Sequence, residues 1–197
     1  MRRLVIATNN KKKLKETLFI IGNLPFIFQT LEDINFGKKI EETGKSFFQN
    51  AMLKAETVGK ITGFLTLSED SGLLVDVLGG RPGIYSARYQ EGSDSDRINK
   101  LLWELKEVPD EKRTARFLSV VAVYDPKSGK TLVFKGESLG KITNKPEGNN
   151  GFGYDPIFYN FDLGKTNAEA TIFEKNKISH RARALFKAYK HLLRLSV

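Results

Sequence analysis

The chain has 197 residues, of which 40% are hydrophobic and 28% are charged, a balance that excludes wholesale disorder. Cysteine is absent, so disulfides and thiolate metal sites are excluded, and no apolar run reaches the roughly 18 residues of a membrane span. The net charge of +9 favours a polyanionic partner, namely nucleic acid, an acidic membrane surface or phosphorylated small molecules. We expect a single cytoplasmic domain over residues 1–197.

The first half of the chain alternates predicted strands with predicted helices. Residues 3–7 predict a strand, and residues 11–21 predict a helix that ends at Gly22. Apolar residues recur at helical spacing over residues 45–59, and an apolar run at residues 64–67 predicts the next strand. This alternation is typical of an α/β protein.

The second half begins with a helix and a long strand. Residues 94–106 predict a helix with Ser93 or Asp94 as its N-cap. Residues 114–124 alternate with a period of two and are apolar on both faces, which predicts a strand that is covered on both sides. A turn at residues 125–129 then leads into an antiparallel strand at residues 131–136.

The last predicted element is a helix with Ser179 as its N-cap and one apolar face, formed by Leu185, Ala188, Tyr189 and Leu192. The predicted fold class is therefore α/β, with a mixed β-sheet flanked by helices. We expect two lobes with a cleft between them, which would be the natural substrate site.

An acidic pair, Glu69 and Asp70, follows the apolar residues 61–67, where we expect a strand to end. Strand ends are where α/β enzymes keep their chemistry. An unpaired buried carboxylate costs several kcal/mol, and a bound hard cation such as Mg²⁺ would remove that penalty. The alternative is a solvated turn with no function.

A second polar segment lies at the first strand-to-helix junction and comprises Thr8, Asn9, Asn10, Lys11, Lys12 and Lys13. Backbone N–H groups and the helix dipole favour an anion at such a junction. The alternative is an Asn-capped helix with solvated lysines. Glu41 and Glu42 precede the next helix; they either stabilise its N-terminus or complete a carboxylate set for Mg²⁺ shared with substrate phosphates.

Two further segments lie near the C-terminus. The glycine-rich residues 148–156 let the backbone approach a ligand, and Phe152 offers a stacking face to a flat base. The alternative is a loop whose aromatic residues anchor it to the core. Lys175, His180 and Arg181 gather donors at the start of the last helix, although a histidine alone is more often structural.

Six ordered motifs cover nearly the whole chain, and together they resemble the inosine triphosphate pyrophosphatase family. The motifs are Thr8-x-Asn10-x-x-Lys13, Glu41-Glu42-Thr43-Gly44, Asp70-Ser71-Gly72-Leu73, Gly79-Gly80-x-Pro82-Gly83-Ile84-Tyr85-Ser86-Ala87-Arg88, Gly151-Phe152-Gly153-Tyr154-Asp155-Pro156 and Ser179-His180-Arg181. One departure is Glu69, where related bacterial sequences often carry Asp.

The resemblance implies a role for each matched segment. Residues 8–13 would bind the triphosphate, Glu41 and Asp70 would hold Mg²⁺, and Asp70 would also be the catalytic base, with Ser71 touching the substrate. Which of Glu41 and Glu42 faces the metal is open, and we favour Glu41. The base and sugar would be surrounded by Phe152, Gly153, Tyr154, Asp155, Lys175, His180 and Arg181.

The implied protein is a Mg²⁺-dependent homodimeric hydrolase that converts ITP, dITP or XTP to the monophosphate and pyrophosphate. Two rivals are a nucleic-acid-binding protein, suggested by the basic charge and by Phe152 and Tyr154, and a pyrophosphatase for modified pyrimidines. Acidic residues at the predicted site would repel nucleic acid in the absence of a metal, so we expect neither a nucleic-acid nor a membrane partner.

Overall fold

The computed structural model describes residues 1–38 and 40–196, and within them five α-helices accompany one seven-stranded sheet. The helices are α1 (Lys11–Ile21), α2 (Phe47–Thr62), α3 (Asp94–Glu104), α4 (Ile172–Ile178) and α5 (His180–Leu195). The strands are β1 (Arg2–Ile6), β2 (Phe26–Thr30), β3 (Leu65–Val75), β4 (Thr114–Asp125), β5 (Lys130–Ile142), β6 (Phe158–Asn160) and β7 (Lys165–Thr166).

The sheet has the order β2-β1-β3-β4-β5-β6-β7 and is mixed. β1 runs parallel to both β2 and β3, whereas β6 runs antiparallel to β5 and to β7. The predicted α/β class with a mixed sheet is therefore confirmed. No helix of the described residues combines the length and the apolar character that crossing a bilayer requires.

The chain divides into two compact units, of which the first comprises residues 1–71, 119–136 and 181–197. In this unit Leu4 and Ile6 of β1 pack in one cluster with α1 and α5, while Val5 and Ala7 pack in another with Val58 of α2. Successive strand residues point to opposite faces, so helices cover both faces of the sheet here. This explains why residues 3–7 are uniformly apolar after Arg3.

The second unit comprises residues 72–118 and 137–180. Its core joins Leu101 of α3 and Leu105, which follows the helix, to Phe117 of β4 and to Ile157 and Phe158 at the start of β6. Helix α3 begins with a capping box, in which Ser93 accepts from the backbone of Asp96 and the Asp96 carboxylate accepts from the backbone of Ser93. The predicted cap at Ser93 is thereby confirmed.

Several element boundaries differ from the predictions. β5 continues to Ile142, and β3 continues to Val75 through the polar residues that were expected to end it. The short elements β2, α4, β6 and β7 have no counterpart among the predictions. Elements of two to seven residues contain too few repeats for hydrophobic periodicity to reveal them.

Candidate active site

Glu69 and Asp70 lie within β3 and are buried, with only 4% and 8% of their surfaces exposed. The expectation that they follow the end of their own strand is wrong. The parallel register pairs Ile6, the last residue of β1, with Leu67, so β3 carries the acidic pair beyond the end of β1. The pair therefore extends toward the segment that connects β1 to α1, the edge at which open α/β sheets bind ligands.

Glu69 is held by donors from a neighbouring strand and from α5. Oγ of Ser119 donates to Oε1 at 2.8 Å, and Nε of Arg181 donates to Oε2 at 2.8 Å. Arg181 is 2% exposed and also donates from Nη1 to Glu16 and from Nη2 to Oγ of Ser71, the latter at 3.2 Å. Burial alone would lower the pKa of Arg181, but the charges of Glu69 and Glu16 outweigh it and raise this pKa. A buried acidic strand residue is tolerated here because it is paired.

Asp70 has a different set of neighbours. Nδ2 of Asn50 donates to Oδ2 at 3.1 Å, the backbone N–H of Ser71 donates to Oδ1 at 3.1 Å, and Nζ of Lys54 lies 3.7 Å from Oδ1. Burial raises the pKa of Asp70, although the charges of Lys54 and Lys13 oppose the shift. A carboxylate with a raised pKa is better suited to take up a proton near neutral pH than an ordinary one.

Lys54 is a site residue that the sequence analysis missed. Its Nζ donates to Oε1 of Glu42 at 2.6 Å and to the backbone carbonyl of Glu69 at 2.9 Å. Lys54 and Asn50 are four residues apart, so they share one face of α2. A polar pair at this spacing beside the apolar positions of an amphipathic helix was the signal that could have revealed them.

The two acidic residues before α2 have different environments. The Glu42 carboxylate is bound to Lys54, whereas Glu41 is exposed to solvent. Across residues 1–38 and 40–196, no three side chains of His, Cys, Asp or Glu are grouped as a metal site. A metal ion at Asp70 would therefore depend on oxygen ligands from elsewhere, as Mg²⁺ commonly does when it binds together with phosphates.

The start of α1 is organised by Asn10. Its Oδ1 accepts from the backbone N–H groups of Lys12 at 3.0 Å and Lys13 at 3.1 Å, and its own N–H donates to Oγ1 of Thr8 at 3.2 Å. Lys13 is half-buried, and burial lowers its pKa against the opposing charge of Glu69. Asn9, Lys11 and Lys12 are exposed. The helix is Asn-capped, and the charges of the acidic pair act on Lys13.

The glycine-rich loop is fixed by Asp155, which is 2% exposed. Its Oδ2 accepts from Nζ of Lys175 at 2.6 Å and from the N–H of Phe152 at 2.8 Å, while its Oδ1 accepts from Nδ2 of Asn167 at 3.1 Å. Gly151 has a φ of 76°, and a Cβ there would meet Asp155 Oδ2 at 2.2 Å. Asp155, predicted to surround the substrate, thus uses its carboxylate to hold the loop.

The neighbouring loop residues are anchored as well. The Tyr154 side chain is buried, and its hydroxyl donates to the carbonyl of Ser86 at 3.0 Å. Burial raises the pKa of Tyr154. The N–H of Gly153 donates to Oδ2 of Asp94 at 2.9 Å. Phe152, by contrast, is only partly buried.

The predicted cationic group near the C-terminus is divided. Lys175 lies in α4, so the expectation that it sits at the start of the last helix is wrong. Its Nζ lies 5.0 Å from the Phe152 ring centroid, a cation–π distance. His180 begins α5 and stacks on Phe117, with ring centroids 4.7 Å apart. Lys175 and His180 belong to the second compact unit, whereas Arg181 belongs to the first.

The fold and the site define an α/β protein in which lysines and a buried carboxylate meet beyond the end of a parallel strand, as in enzymes that act on phosphorylated substrates. The model of the Ham1 family matches residues 4–191, and the chain belongs to this family. The family resemblance seen in the motifs is confirmed.

Curated relatives and a solved structure match over nearly the full chain. The chain is 48% identical to the dITP/XTP pyrophosphatase of Geobacter sulfurreducens, covering 98% of this chain and 97% of the relative. It is 47% identical to the protein of the same name from Bacillus subtilis, covering 98% of each. The Ham1 protein structure from Coxiella burnetii has a TM-score of 0.89 and 38% identity, covering 98% of this chain and 100% of that one.

Proposed function

We propose that this protein hydrolyses dITP, XTP and ITP to the nucleoside monophosphate and pyrophosphate, and so clears deaminated purines from the nucleotide pool. The single observation that carries the proposal is the identity of 47–48%, over 98% of the chain, to relatives named dITP/XTP pyrophosphatase. The proposed enzyme is one domain over residues 1–197. We place it in the cytoplasm because its substrates are free nucleotides.

The triphosphate end of the substrate is assigned to the start of α1. Asn10 holds the first turn in place, Thr8 and Asn9 lie in the connection before it, and Lys11, Lys12 and Lys13 supply positive charge. Lys13 is the central cation, because its side chain is coupled to the charges of Glu69 and Asp70. Lys54 supplies a second cation beside Asp70, with Nζ 3.7 Å from Oδ1.

The proposed metal ligands are Asp70 and Glu41. Glu41 is preferred to Glu42, because Glu42 is committed to Lys54 while Glu41 is open to solvent. Two carboxylates fit Mg²⁺, which typically takes one or two from the protein and completes its shell with phosphates and water. Bound Mg²⁺ would neutralise charge that develops on the phosphate oxygens.

Asp70 is also the proposed general base. It accepts a proton from a water molecule whose oxygen bonds to the α-phosphorus, while the bond from that phosphorus to the bridging oxygen breaks and pyrophosphate leaves with the electron pair. The carboxylate accepts from Nδ2 of Asn50 and from the N–H of Ser71. Ser71 is held in turn by Arg181, for which we now propose a positioning role in place of direct base contact.

The base end of the substrate is assigned to Phe152, with Gly153, Tyr154 and Asp155 shaping the loop and Lys175 and His180 contributing donors. Hypoxanthine and xanthine carry a carbonyl at C6 where adenine carries an amino group, so a site built from donors favours the former. A cleft between two lobes remains the predicted location of the substrate.

Lys13→Ala is expected to raise the KM for dITP by about tenfold or more and to leave the ratio of dITP to dATP turnover nearly unchanged. The reason is that Lys13 is assigned to phosphate, which all nucleotides share. Steady-state kinetics on both substrates provide the check, with Lys15→Ala, an exposed lysine of the same helix, as the control. If KM were unchanged and the preference for dITP over dATP were lost, the assignment of the phosphate end and the base end of the substrate would have to be reversed.

Lys175→Met is expected to reduce the ratio of dITP to dATP turnover, while the KM for dATP stays within about threefold of the parent's value. The substitution removes the cation beside the Phe152 ring and one of the three donors that hold Asp155. The matched control is Lys177→Met, two residues away in α4 and exposed. If turnover of dITP and of dATP fell by the same factor, Lys175 would be a structural residue that does not select the base.

A homodimer is proposed, with the Gly79–Tyr85 loop as its interface. The last residues of this loop begin a short 3₁₀ helix, Gly83–Arg88, in which Tyr85 is 55% exposed, and Val77 before the loop is 46% exposed. Isologous interfaces favour exposed aromatic and apolar residues of this kind. Sedimentation at micromolar concentration should give twice the chain mass for the parent and for Trp103→Asp, and the single mass for Tyr85→Asp. A monomeric parent would remove the proposal.

The proposed activity is tested by turnover of a nucleotide panel with Mg²⁺, measuring pyrophosphate and phosphate separately. The panel contains dITP, XTP and ITP together with dATP, dGTP and a modified deoxyuridine triphosphate. We expect the first three to dominate and pyrophosphate to be the inorganic product. Preferred hydrolysis of the modified pyrimidine, or release of phosphate alone, would contradict the proposal.

A further inference from the structure

We infer that Asn50 is a positioning residue that fixes the Asp70 carboxylate and ties to it the loop that carries Glu41. This inference rests on the proposed function, because it concerns how the proposed base and metal ligand are held. Asn50 is absent from the residues that the sequence motifs single out, and it lies on α2 with its side chain fully buried.

Both ends of the Asn50 amide are used. Nδ2 donates to Oδ2 of Asp70 at 3.1 Å, and Oδ1 accepts from the backbone N–H of Gly44 at 2.8 Å. A backbone N–H can only donate and an ionised carboxylate can only accept, so one orientation of the amide satisfies both neighbours. Asn50 therefore bridges the loop before α2 and the acidic strand in a single fixed geometry.

Gly44 supplies independent support for the bridge. A Cβ at this position would lie 2.5 Å from Oδ1 of Asn50, 2.8 Å from Cβ of Gln49 and 2.9 Å from the backbone nitrogen of Asn50. The loop thus approaches α2 so closely that a side chain at residue 44 would displace the amide. At Gly37, earlier in the same connection, a Cβ would meet no atom within 4 Å.

Gln49 shows which part of this arrangement reaches the acidic strand. Its Oε1 accepts from the N–H of Lys45 at 2.7 Å, so it also holds the loop. The described contacts of Gln49 are with the loop and the helix cap, whereas Asn50 contacts both the loop and Asp70. Loop tethering and carboxylate positioning can therefore be separated by neighbouring substitutions.

Asn50→Asp is the informative variant. It keeps the shape of the side chain and the oxygen that accepts from Gly44, but it replaces the donor to Asp70 with an oxygen. We expect kcat for dITP to fall by about tenfold or more, while the affinity for a non-hydrolysable triphosphate without Mg²⁺ changes by less than about threefold, because the phosphate contacts are assigned to the start of α1. Gly44→Ala should produce the same split, since it displaces the same amide.

Gln49→Ala and Gly37→Ala are the matched controls and should retain kcat within about twofold of the parent. Thermal unfolding and titration with a non-hydrolysable triphosphate, both without Mg²⁺, confirm that each variant is folded and binds. If Asn50→Asp fails to fold, the comparison of Gly44→Ala with Gly37→Ala decides, and equal kcat values in that pair would overturn the inference.

A parent that turns over dITP together with an Asn50→Asp variant of unchanged kcat would also overturn the inference and leave the proposed function standing. If kcat fell by the same factor in Gln49→Ala and in Asn50→Asp, Asn50 would only hold the loop before α2. That result would likewise overturn the inference. A parent inactive on every nucleotide of the panel would remove the proposed function itself, and the inference with it.

Discussion

Asp70→Asn is expected to lower turnover of dITP by at least about 100-fold in a protein that remains folded, because it removes the proposed base and one charge for the metal. The substituted side chain keeps the same shape and can still accept from Nδ2 of Asn50. The measurement is kcat with saturating Mg²⁺. Asp110→Asn, at an exposed aspartate, is the control. Activity within about threefold of the parent would remove Asp70 from the mechanism.

The same substitution should not destabilise the metal-free protein. Burial raises the pKa of Asp70, so the folded state binds its proton more tightly than the unfolded state does. Stability that depends on this group is therefore present at low pH and is lost as the pH rises through the raised pKa. The Asp70→Asn variant has no carboxyl group that titrates at this position. Its Tm should therefore equal or exceed that of the parent at pH 7, and the difference in Tm should be smaller at about pH 4.

Arg181→Ala is expected to cost roughly 3–5 kcal/mol of unfolding free energy, because it leaves Glu69 and Glu16 buried without their common countercharge. Urea unfolding provides the measurement. Arg194→Ala, at an exposed arginine of the same helix, should change stability by less than about 0.5 kcal/mol.

A second substitution distinguishes lost charge pairing from lost packing. Adding Glu16→Gln to Arg181→Ala should restore part of the stability, because it removes one of the stranded charges. If Arg181→Ala costs less than about 1 kcal/mol, the buried ion pairs are not what stabilises the acidic strand.

Local sequence patterns predicted the parts of the fold that local physics determines. The helical spacing of apolar residues predicted α2 and α3. Ser93 was correctly predicted as an N-cap, because capping involves residues only three apart. The turn before β5 and the apolar run of β1 are local features as well. The short helix α4 left no such pattern, so Lys175 was assigned to the wrong helix.

The burial of the acidic pair was not predictable from its neighbours in sequence. Glu69 and Arg181 are 112 residues apart, and Glu16 and Arg181 are 165 apart. Without knowledge of those partners, two adjacent carboxylates beside Ser71 and Gly72 favour a turn over the interior of a strand. The spacing of Asn50 and Lys54 could have marked a polar face of α2, but their contacts depend on β3 lying next to α2.

The glycine-rich loop shows a different limit. Its motif predicted Tyr154 and Asp155 as substrate contacts, but both side chains form hydrogen bonds that hold the loop. A loop with several glycines at positive φ needs such bonds to keep one conformation. A motif identifies the residues that a site requires, but it does not distinguish residues that contact the ligand from residues that hold the loop in place.

Hydrolysis of dITP in ¹⁸O-labelled water, followed by ³¹P NMR, measures which phosphorus the water attacks. Attack at the α-phosphorus predicts that the label appears in the deoxyinosine monophosphate and that the released pyrophosphate is unlabelled. The Asp70→Asn variant should form neither product at a comparable rate. Labelled inorganic phosphate with a nucleoside diphosphate as the partner product would contradict the proposed pyrophosphohydrolase.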